Sequence, residues 1–189
     1  MARKKTYDEK DALAAIKDQF WRHGYEGASL HALENATGLP KQTLYREFGS
    51  KKGMYLAALA DYERDEVRGA IRLLRAHDRP EDRVRALFDA VLEEAEGSVA
   101  GRGCFLCNAA ADRTGLDEAI SHSVSGTLSL LRDAMEEALD CGPADKHRAD
   151  ALLASYIGFR NLARNGWPVE RLRAMATNLA ATAGNAGAS

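Results

Sequence analysis

The sequence predicts an all-α protein. Alanine, leucine, arginine and glutamate are abundant, the 189 residues include four prolines, and runs of alternating β-branched residues, which would indicate strands, are missing. Apolar residues recur every three or four positions and divide the chain into about nine helices. A chain of this length is long enough for one or two domains with a substantial buried core.

Two short helices near the N-terminus form a helix-turn-helix. Ser29 can cap the first helix, which ends at Gly38. Pro40 suits the first turn of the second helix, which ends at Gly49. Because helices this short bury too little to be stable alone, we expect a preceding helix, from about Tyr7 to Gly24, to hold them. Its apolar side chains are Leu13, Ile16, Phe20 and Trp21.

The residues of this motif and those that follow it resemble a known family. After the turn glycine come Leu39, Pro40 and Lys41, and then the string LYREFGSKKGMYLAAL over residues 44–59. This order, with its spaced tyrosine, phenylalanine and lysine, resembles the N-terminal DNA-binding domain of TetR/AcrR-type transcriptional regulators. The resemblance covers roughly residues 8–60.

The resemblance implies two domains. Residues 1–52 are expected to form a helix-turn-helix DNA-binding domain, here called the head. Residues 53–189 are expected to form a larger helical effector-binding and dimerisation domain, here called the body. Three residues depart from the family's pattern: Pro40 stands where Ser or Thr is usual, Thr37 where Ala is usual, and Glu34 at a position often held by Ala.

Charge is distributed unevenly along the chain. Residues 1–60 hold ten Lys or Arg and seven Asp or Glu, whereas residues 61–189 hold sixteen and twenty-one. A basic N-terminal part on an acidic remainder is expected if the N-terminal part alone meets phosphate. Arg3, Lys4 and Lys5 add a short basic arm ahead of the first helix.

The second helix of the motif supplies the candidate DNA contacts. Its N-terminal end enters the major groove in proteins of this kind, so Lys41, Gln42 and Thr43 are placed to meet base edges. Candidates for contact with phosphate are Tyr45 and Lys51, by resemblance, and Arg46, Ser50 and Lys52, by charge and position. Double-stranded operator DNA is therefore the expected partner.

The body is predicted to contain six helices. They are expected over Met54–His77, from Pro80 to Gly97, around Cys104, from about Ile120 to Gly142, over Ala144–Asn165 and over Val169–Ala183, with a glycine-rich loop at 97–103 and a break at 114–115. By resemblance, the last two helices pair with those of a second copy in a four-helix bundle. The alternative is that they complete a core within one chain.

The pair Cys104 and Cys107 has the most unusual local composition in the body. At this spacing both side chains face the same side of a helix. They are either small buried apolar residues or a thiol sensor, in which the helix N-terminus and Arg102 lower a thiol pKa. A thioredoxin-like enzyme or a zinc site is disfavoured, because strand–helix alternation and a recognised ligand spacing are missing. The other candidates for ligand contact are Asn108, Phe88, His122 and Tyr156.

These observations predict a homodimeric DNA-binding transcriptional regulator rather than an enzyme. We expect a repressor that a small-molecule or reactive inducer releases from a palindromic operator, with no cofactor and no metal. The alternative is a thiol-dependent redox protein or enzyme that uses Cys104 and Cys107; a third possibility is a DNA-binding regulator without a ligand. No signal peptide or stretch of about 18 apolar residues is evident, so we expect a cytoplasmic protein and no membrane partner.

Overall fold

Helices account for all the regular secondary structure in the computed structural model, which describes residues 7–96, 103–112 and 117–184. The helices are α1 (Glu9–Gly27), α2 (Leu30–Thr37), α3 (Lys41–Phe48), α4 (Lys51–Tyr62), a π-helical segment (Glu63–Val67), α5 (Arg68–Leu74), α6 (Pro80–Glu96), α7 (Phe105–Ala111), α8 (Glu118–Ala138), α9 (His147–Arg164) and α10 (Val169–Gly184). With α4, the π segment and α5 counted as one continuous rod, the described residues form nine helices and no strand, which confirms the predicted fold class.

The helix-turn-helix forms where the sequence predicts it. The Ser29 hydroxyl accepts a hydrogen bond from the Ala32 amide at 3.1 Å and so caps α2, which ends at Gly38 in a left-handed conformation with φ of 67°. Pro40 lies at the N-cap of α3, one position earlier than expected, and Gly49, with φ of 76°, follows the end of that helix.

The small core of the head is made by one face of each of its helices. Phe20, Leu33 and Leu44 are completely buried, and Trp21 is nearly so, which confirms the packing role expected for the aromatic pair of α1. Ala36, although apolar, is exposed on α2. Each short helix therefore depends on contacts with α1 and α4 rather than on its own length.

Helix α1 breaks at Gly24, where the sequence predicts its end, but it does not stop there. The backbone there has φ of 69° and ψ of 177°, and one further turn carries the helix to Gly27. This conformation is essentially restricted to glycine. The break leaves the Tyr25 amide without its helical acceptor, and the Asp112 carboxylate accepts its hydrogen bond at 3.0 Å. The head is thus joined to the body at the break.

The rod that links head and body begins earlier and ends earlier than predicted. The Ser50 hydroxyl accepts from the Gly53 amide at 3.0 Å and starts the rod at Lys51 rather than Met54. The rod ends at Leu74 rather than His77. Since it runs through residues 52 and 53, the boundary between head and body stays a prediction.

The body is organised around α6, α8 and α9. Helix α10 packs along α6, whereas α8 packs along α9, so the last two helices make few contacts with each other. The apolar core of the body includes the fully buried rings of Phe88 and Phe159, 4.8 Å apart in an edge-on arrangement. Some predicted features lie outside the described residues: the basic arm at 3–5, most of the loop at 97–103 with Arg102, and the break at 114–115.

Helix α7 spans the junction between the head and the body. At its start, the indole of Trp21 donates to the Gly103 carbonyl at 3.2 Å, and the Phe105 ring packs against the rings of Trp21, Tyr55 and Tyr62. At its end, Asp112 binds the broken turn of α1. None of the described helices combines the length and the apolar character needed to cross a membrane.

The Gly24 break gives a stability prediction. Gly24→Ala should destabilise the protein by about 1–3 kcal/mol, because alanine is strained in this conformation and its Cβ would lie 2.8 Å from an oxygen of Asp112. The matched change Gly27→Ala places its Cβ 3.4 Å from the nearest side chain and should be close to neutral. Urea unfolding of both variants measures the difference; equal free energies of unfolding would contradict this explanation of the break.

Candidate DNA-binding surface and interior thiol site

Helix α3 buries one face and exposes the other. Leu44 is fully buried in the head, while Lys41, Gln42 and Tyr45 are exposed and Thr43 is half-buried. Arg46 is also exposed and pairs with the neighbouring Glu47 at 3.0 Å. The polar side chains expected to contact DNA therefore lie together on the outer face of α3. Thr43, which has the shortest of these side chains, lies closest to the core.

The start of α3 is stabilised by a residue that sequence reasoning missed. Pro40 at the N-cap has no side-chain oxygen to accept from the helix. The Glu34 carboxylate of α2 accepts from the Lys41 amide at 2.6 Å instead. Two of the departures from the family pattern thus compensate for each other, because the cap lost at Pro40 is supplied by Glu34.

Thr37, the third departure, organises the turn between the two helices. Its hydroxyl donates to the Leu33 carbonyl at 2.7 Å and accepts from the Leu39 amide at 3.2 Å. The turn therefore has its own hydrogen bonds in addition to the Gly38 conformation. A polar residue at this position was a signal that could have indicated the turn network.

The N-terminus of α4 presents two lysines beside α3. The Lys51 ammonium lies 4.8 Å from the centroid of the Tyr25 ring, and the Lys52 ammonium pairs with Asp117 of the body at 3.3 Å. On α3, the Lys41 ammonium lies 5.5 Å from the Tyr45 ring. Four of the predicted phosphate candidates, Tyr45, Arg46, Lys51 and Lys52, are thus at least partly accessible on the same part of the head.

The thiol pair lies deep between the head and the body. Cys104 is the N-cap of α7, not a residue within the helix as predicted, and it is 6% exposed. The Tyr62 hydroxyl donates to its sulfur at 3.6 Å. Cys107 is half-buried one turn later. Both thiols are free.

A buried arginine, also missed by sequence reasoning, completes this site. Arg160 of α9 is 6% exposed and donates to the Tyr156 hydroxyl at 3.0 Å and to the Glu94 carboxylate at 2.9 Å. Arginine in an amphipathic helix is usually exposed, so its position in the sequence gave no signal of burial. Burial raises the pKa of the Glu94 carboxyl.

These surroundings make Cys104 the acidic thiol of the pair. A hydrogen bond from the Cys107 thiol, followed by the charge of Arg160, lowers the pKa of Cys104 to about 6. The pKa of Cys107 is raised, because it donates to Cys104 and is itself partly buried. At neutral pH the site therefore favours a thiolate at Cys104 and a thiol at Cys107.

A cleft on the body leads toward this site. It has a volume of about 420 Å³ and lies between the π segment, α5, α6 and α9. Four of its lining residues, Glu66, Ala70, Tyr156 and Arg160, also line a small interior cavity whose wall includes Cys104. The volume is in the range of small-molecule sites, so the cleft can accept a ligand whose contacts with Tyr156 and Arg160 lie next to the wall of the thiol cavity.

The structure brings some of the predicted ligand residues together and separates others. Tyr156 lines the cleft, and Phe88 is buried behind it with ring centroids 6.0 Å apart. Asn108 accepts a hydrogen bond from Arg164 at 2.6 Å and lines neither the cleft nor the cavity. His122 is exposed on α8, where it lines neither space.

The N-terminal part of the chain matches a known family. The family model described as "Bacterial regulatory proteins, tetR family" matches residues 12–58, which include the whole helix-turn-helix. The repressor ComR of Escherichia coli is 34% identical over 107 residues, which are 56% of this chain and 51% of ComR. Residues 12–58 therefore match the DNA-binding part of the TetR family.

Two further comparisons extend the likeness beyond the head. The uncharacterised HTH-type transcriptional regulator YezE of Bacillus subtilis is 24% identical over 139 residues, 74% of this chain and 72% of YezE. The structure of the TetR-family regulator CifR with 26-base-pair operator DNA has a TM-score of 0.81 and 28% identity, covering 95% of this chain and 98% of CifR. The chain is thus similar over nearly its whole length to a TetR-family regulator whose structure contains double-stranded operator DNA.

The thiol site gives a prediction about pH. Because the thiolate is the reacting form, the rate of Cys104 alkylation by iodoacetamide should rise with pH through about 6 and level off above it. The alkylation rate of an ordinary thiol would instead rise with pH through about 8.5. Residue-resolved mass spectrometry at a series of pH values measures the midpoint.

Two variants test the cause of that shift. Cys107→Ala removes the donor and should move the midpoint toward the ordinary value, whereas Cys107→Ser keeps a donor hydroxyl and should move it less. A midpoint near 8.5 in the unmodified protein would contradict the assignment of the thiolate to Cys104.

Proposed function

We propose that this protein is a homodimeric repressor of the TetR family that binds a palindromic operator through α3 and is released from it by a small-molecule or reactive inducer. One observation carries the DNA-binding part of the proposal. Lys41 and Gln42 are exposed at the start of a helix whose opposite face, at Leu44, is fully buried, and Lys51 is partly exposed at the start of the next helix. Such a helix can lie in the major groove while Lys51 contacts the sugar-phosphate backbone of the DNA.

The base contacts follow from the chemistry of these side chains. A glutamine can bind adenine with two hydrogen bonds, and a lysine can donate to the acceptors of guanine. Thr43, half-buried, offers a methyl group to a thymine methyl at the edge of the contact. Tyr45, Arg46 and Lys51 supply contacts to phosphate, which fix the position of the helix without reading sequence.

A dimer is needed because one short helix reads few bases. Two heads on a twofold axis read two half-sites, which is why operators of such proteins are palindromic. The outer face of α9 and α10 suits this role: Ala151, Ala154 and Gly158 are exposed on α9, as are Ala174 and Ala181 on α10. Small side chains allow helices of two copies to approach closely.

The body offers an inducer two neighbouring places to act. A ligand can bind in the cleft against Tyr156 and Arg160, or a reactive compound can modify the Cys104 thiolate behind them. Modification of Cys104 acts at the N-cap of α7, and Gly103 and Asp112, on either side of this helix, contact α1. The inducer must favour the arrangement of heads that does not fit DNA, since equal affinity for both arrangements would shift nothing.

The repressor role has support from a relative. ComR, 34% identical over its matched half, is a repressor. The structure of CifR holds operator DNA, and its fold superimposes over nearly the whole of this chain.

Selection of binding sites from a random double-stranded DNA library, with reduced protein, tests the proposal. We expect enrichment of a twofold-symmetric sequence. The enriched sequence then serves as the probe for oxidants, electrophiles and small molecules, one of which should weaken binding. No enrichment by folded protein would contradict operator recognition, and an enriched site without symmetry would contradict the dimer.

A thiol-dependent redox enzyme is the second candidate, because the lowered pKa of Cys104 would suit it as well. Replacing Cys104 and Cys107 by serine separates the two functions. The regulator keeps its operator binding and loses at most its response to reactive compounds. An enzyme loses its activity.

Variants of the head should separate base contacts from phosphate contacts. Gln42→Ala should weaken binding to the selected operator by about 1–3 kcal/mol and relax its sequence preference, because one base contact is lost. Lys51→Ala should weaken binding to all duplexes about equally and reduce the salt dependence by about one counterion per head. Titrations of operator and scrambled duplexes at several salt concentrations measure both effects; a uniform loss for Gln42→Ala would remove it from the base-reading residues.

The dimer face gives a further prediction. Ala154→Arg should shift the protein to monomer and weaken operator binding by about a hundredfold or more, because linked modules gain about 10²–10⁴ in affinity. The free energy of monomer unfolding should change little, since Ala154 is exposed. Ser129→Arg, on the exposed side of α8, is the matched control. Sedimentation of both variants measures the assembly; a dimer that survives Ala154→Arg would contradict the proposed seam.

A further inference from the structure

We propose that Asp117 of the body competes with DNA phosphate for Lys52 of the head, so that the body holds a phosphate-binding lysine occupied until DNA displaces it. The inference rests on the proposed binding of DNA by the head. It adds one residue, Asp117, that sets how strongly the head binds any duplex.

The position of Lys52 suits contact with phosphate. It is the second residue of α4, adjacent to Lys51, at the helix start that Ser50 caps. Its side chain is 46% exposed, so it can turn from the body toward DNA. The two neighbouring lysines have different partners, because Lys51 lies over the neutral ring of Tyr25 while Lys52 contacts an anion.

Asp117 is a fixed anion. One of its oxygens accepts from the amides of Ala119 and Ile120, at 3.0 and 3.3 Å, and thereby caps α8. Its second oxygen lies 3.3 Å from the Lys52 ammonium. The hydrogen bond from Ile120, together with Lys52, holds the pKa of Asp117 below its usual value. The carboxylate is therefore ionised and aimed at Lys52, in the manner of a bound phosphate oxygen.

The pair is one that DNA can displace. Asp117 is 35% exposed, and exposed ion pairs are weak because water screens them. A duplex phosphate can therefore take over Lys52, at the cost of separating the start of α8 from the head. By thermodynamic linkage, any ligand that moves the start of α8 away from Lys52 strengthens DNA binding, and one that tightens the contact weakens it.

The test compares three variants on one random-sequence duplex, since phosphate contacts carry no sequence information. Asp117→Asn removes the charge but keeps an oxygen that can cap α8, because asparagine caps as well as aspartate. We expect it to bind about two- to fivefold more tightly near 0.1 M salt. Because salt screens the pair that the unmodified protein must break, the gain should shrink as salt is raised, and the slope of log affinity against log salt should therefore be steeper for Asp117→Asn.

Two controls separate a direct contact from a general effect of charge. Glu118→Gln removes the same charge at the next residue, for which no ion pair is found among the described residues. It should change affinity less than Asp117→Asn. In a Lys52→Gln background, Asp117→Asn should have no further effect.

Four results would overturn the inference. They are unchanged or weaker binding by Asp117→Asn, an equal gain from Glu118→Gln, an undiminished gain in the Lys52→Gln background, and a salt slope that does not steepen. A folded unmodified protein that binds no duplex at all would instead contradict the DNA-binding function, and the inference would fall with it.

Discussion

Helix α1 breaks at Gly24, and the Asp112 carboxylate accepts the hydrogen bond of the Tyr25 amide that the break releases. This single bond joins the end of α7 to the turn that leads into the helix-turn-helix. The Phe105 ring, at the other end of α7, is packed among aromatic side chains of α1 and α4. Helix α7 therefore connects Cys104, which precedes it, with the surface on which Lys51 lies over Tyr25.

Local signals in the sequence were enough to predict the head. Ser29, Gly38 and Gly49 act within their own turns, where side-chain capping and backbone conformation decide the structure. The periodicity of apolar residues likewise predicted the number of helices. The π segment at Glu63–Val67 was not predicted, because it depends on contacts from other helices, such as the hydrogen bond from Thr127 to Glu63 at 3.0 Å.

The parts of the sites that escaped prediction depend on partners distant in the sequence. Glu34 caps a helix that begins seven residues later. This cap stabilises the helix because Pro40, at the N-cap position, has no side-chain oxygen that could accept the hydrogen bond. Arg160 lies 66 residues from its partner Glu94, and no periodicity reveals that it is buried. The candidate contacts on α3 were predicted because they depend on one helix face, whereas the cleft required the relative positions of α5, α6 and α9.

We propose that chemistry at Cys104 reaches the head through α7. The most direct measurement is the affinity for the selected operator before and after one equivalent of N-ethylmaleimide has reacted with Cys104, with Cys104→Ser as the unreactive control. The account predicts that alkylation weakens operator binding while the control binds the operator and does not respond. Equal affinity of the alkylated and reduced proteins would contradict it.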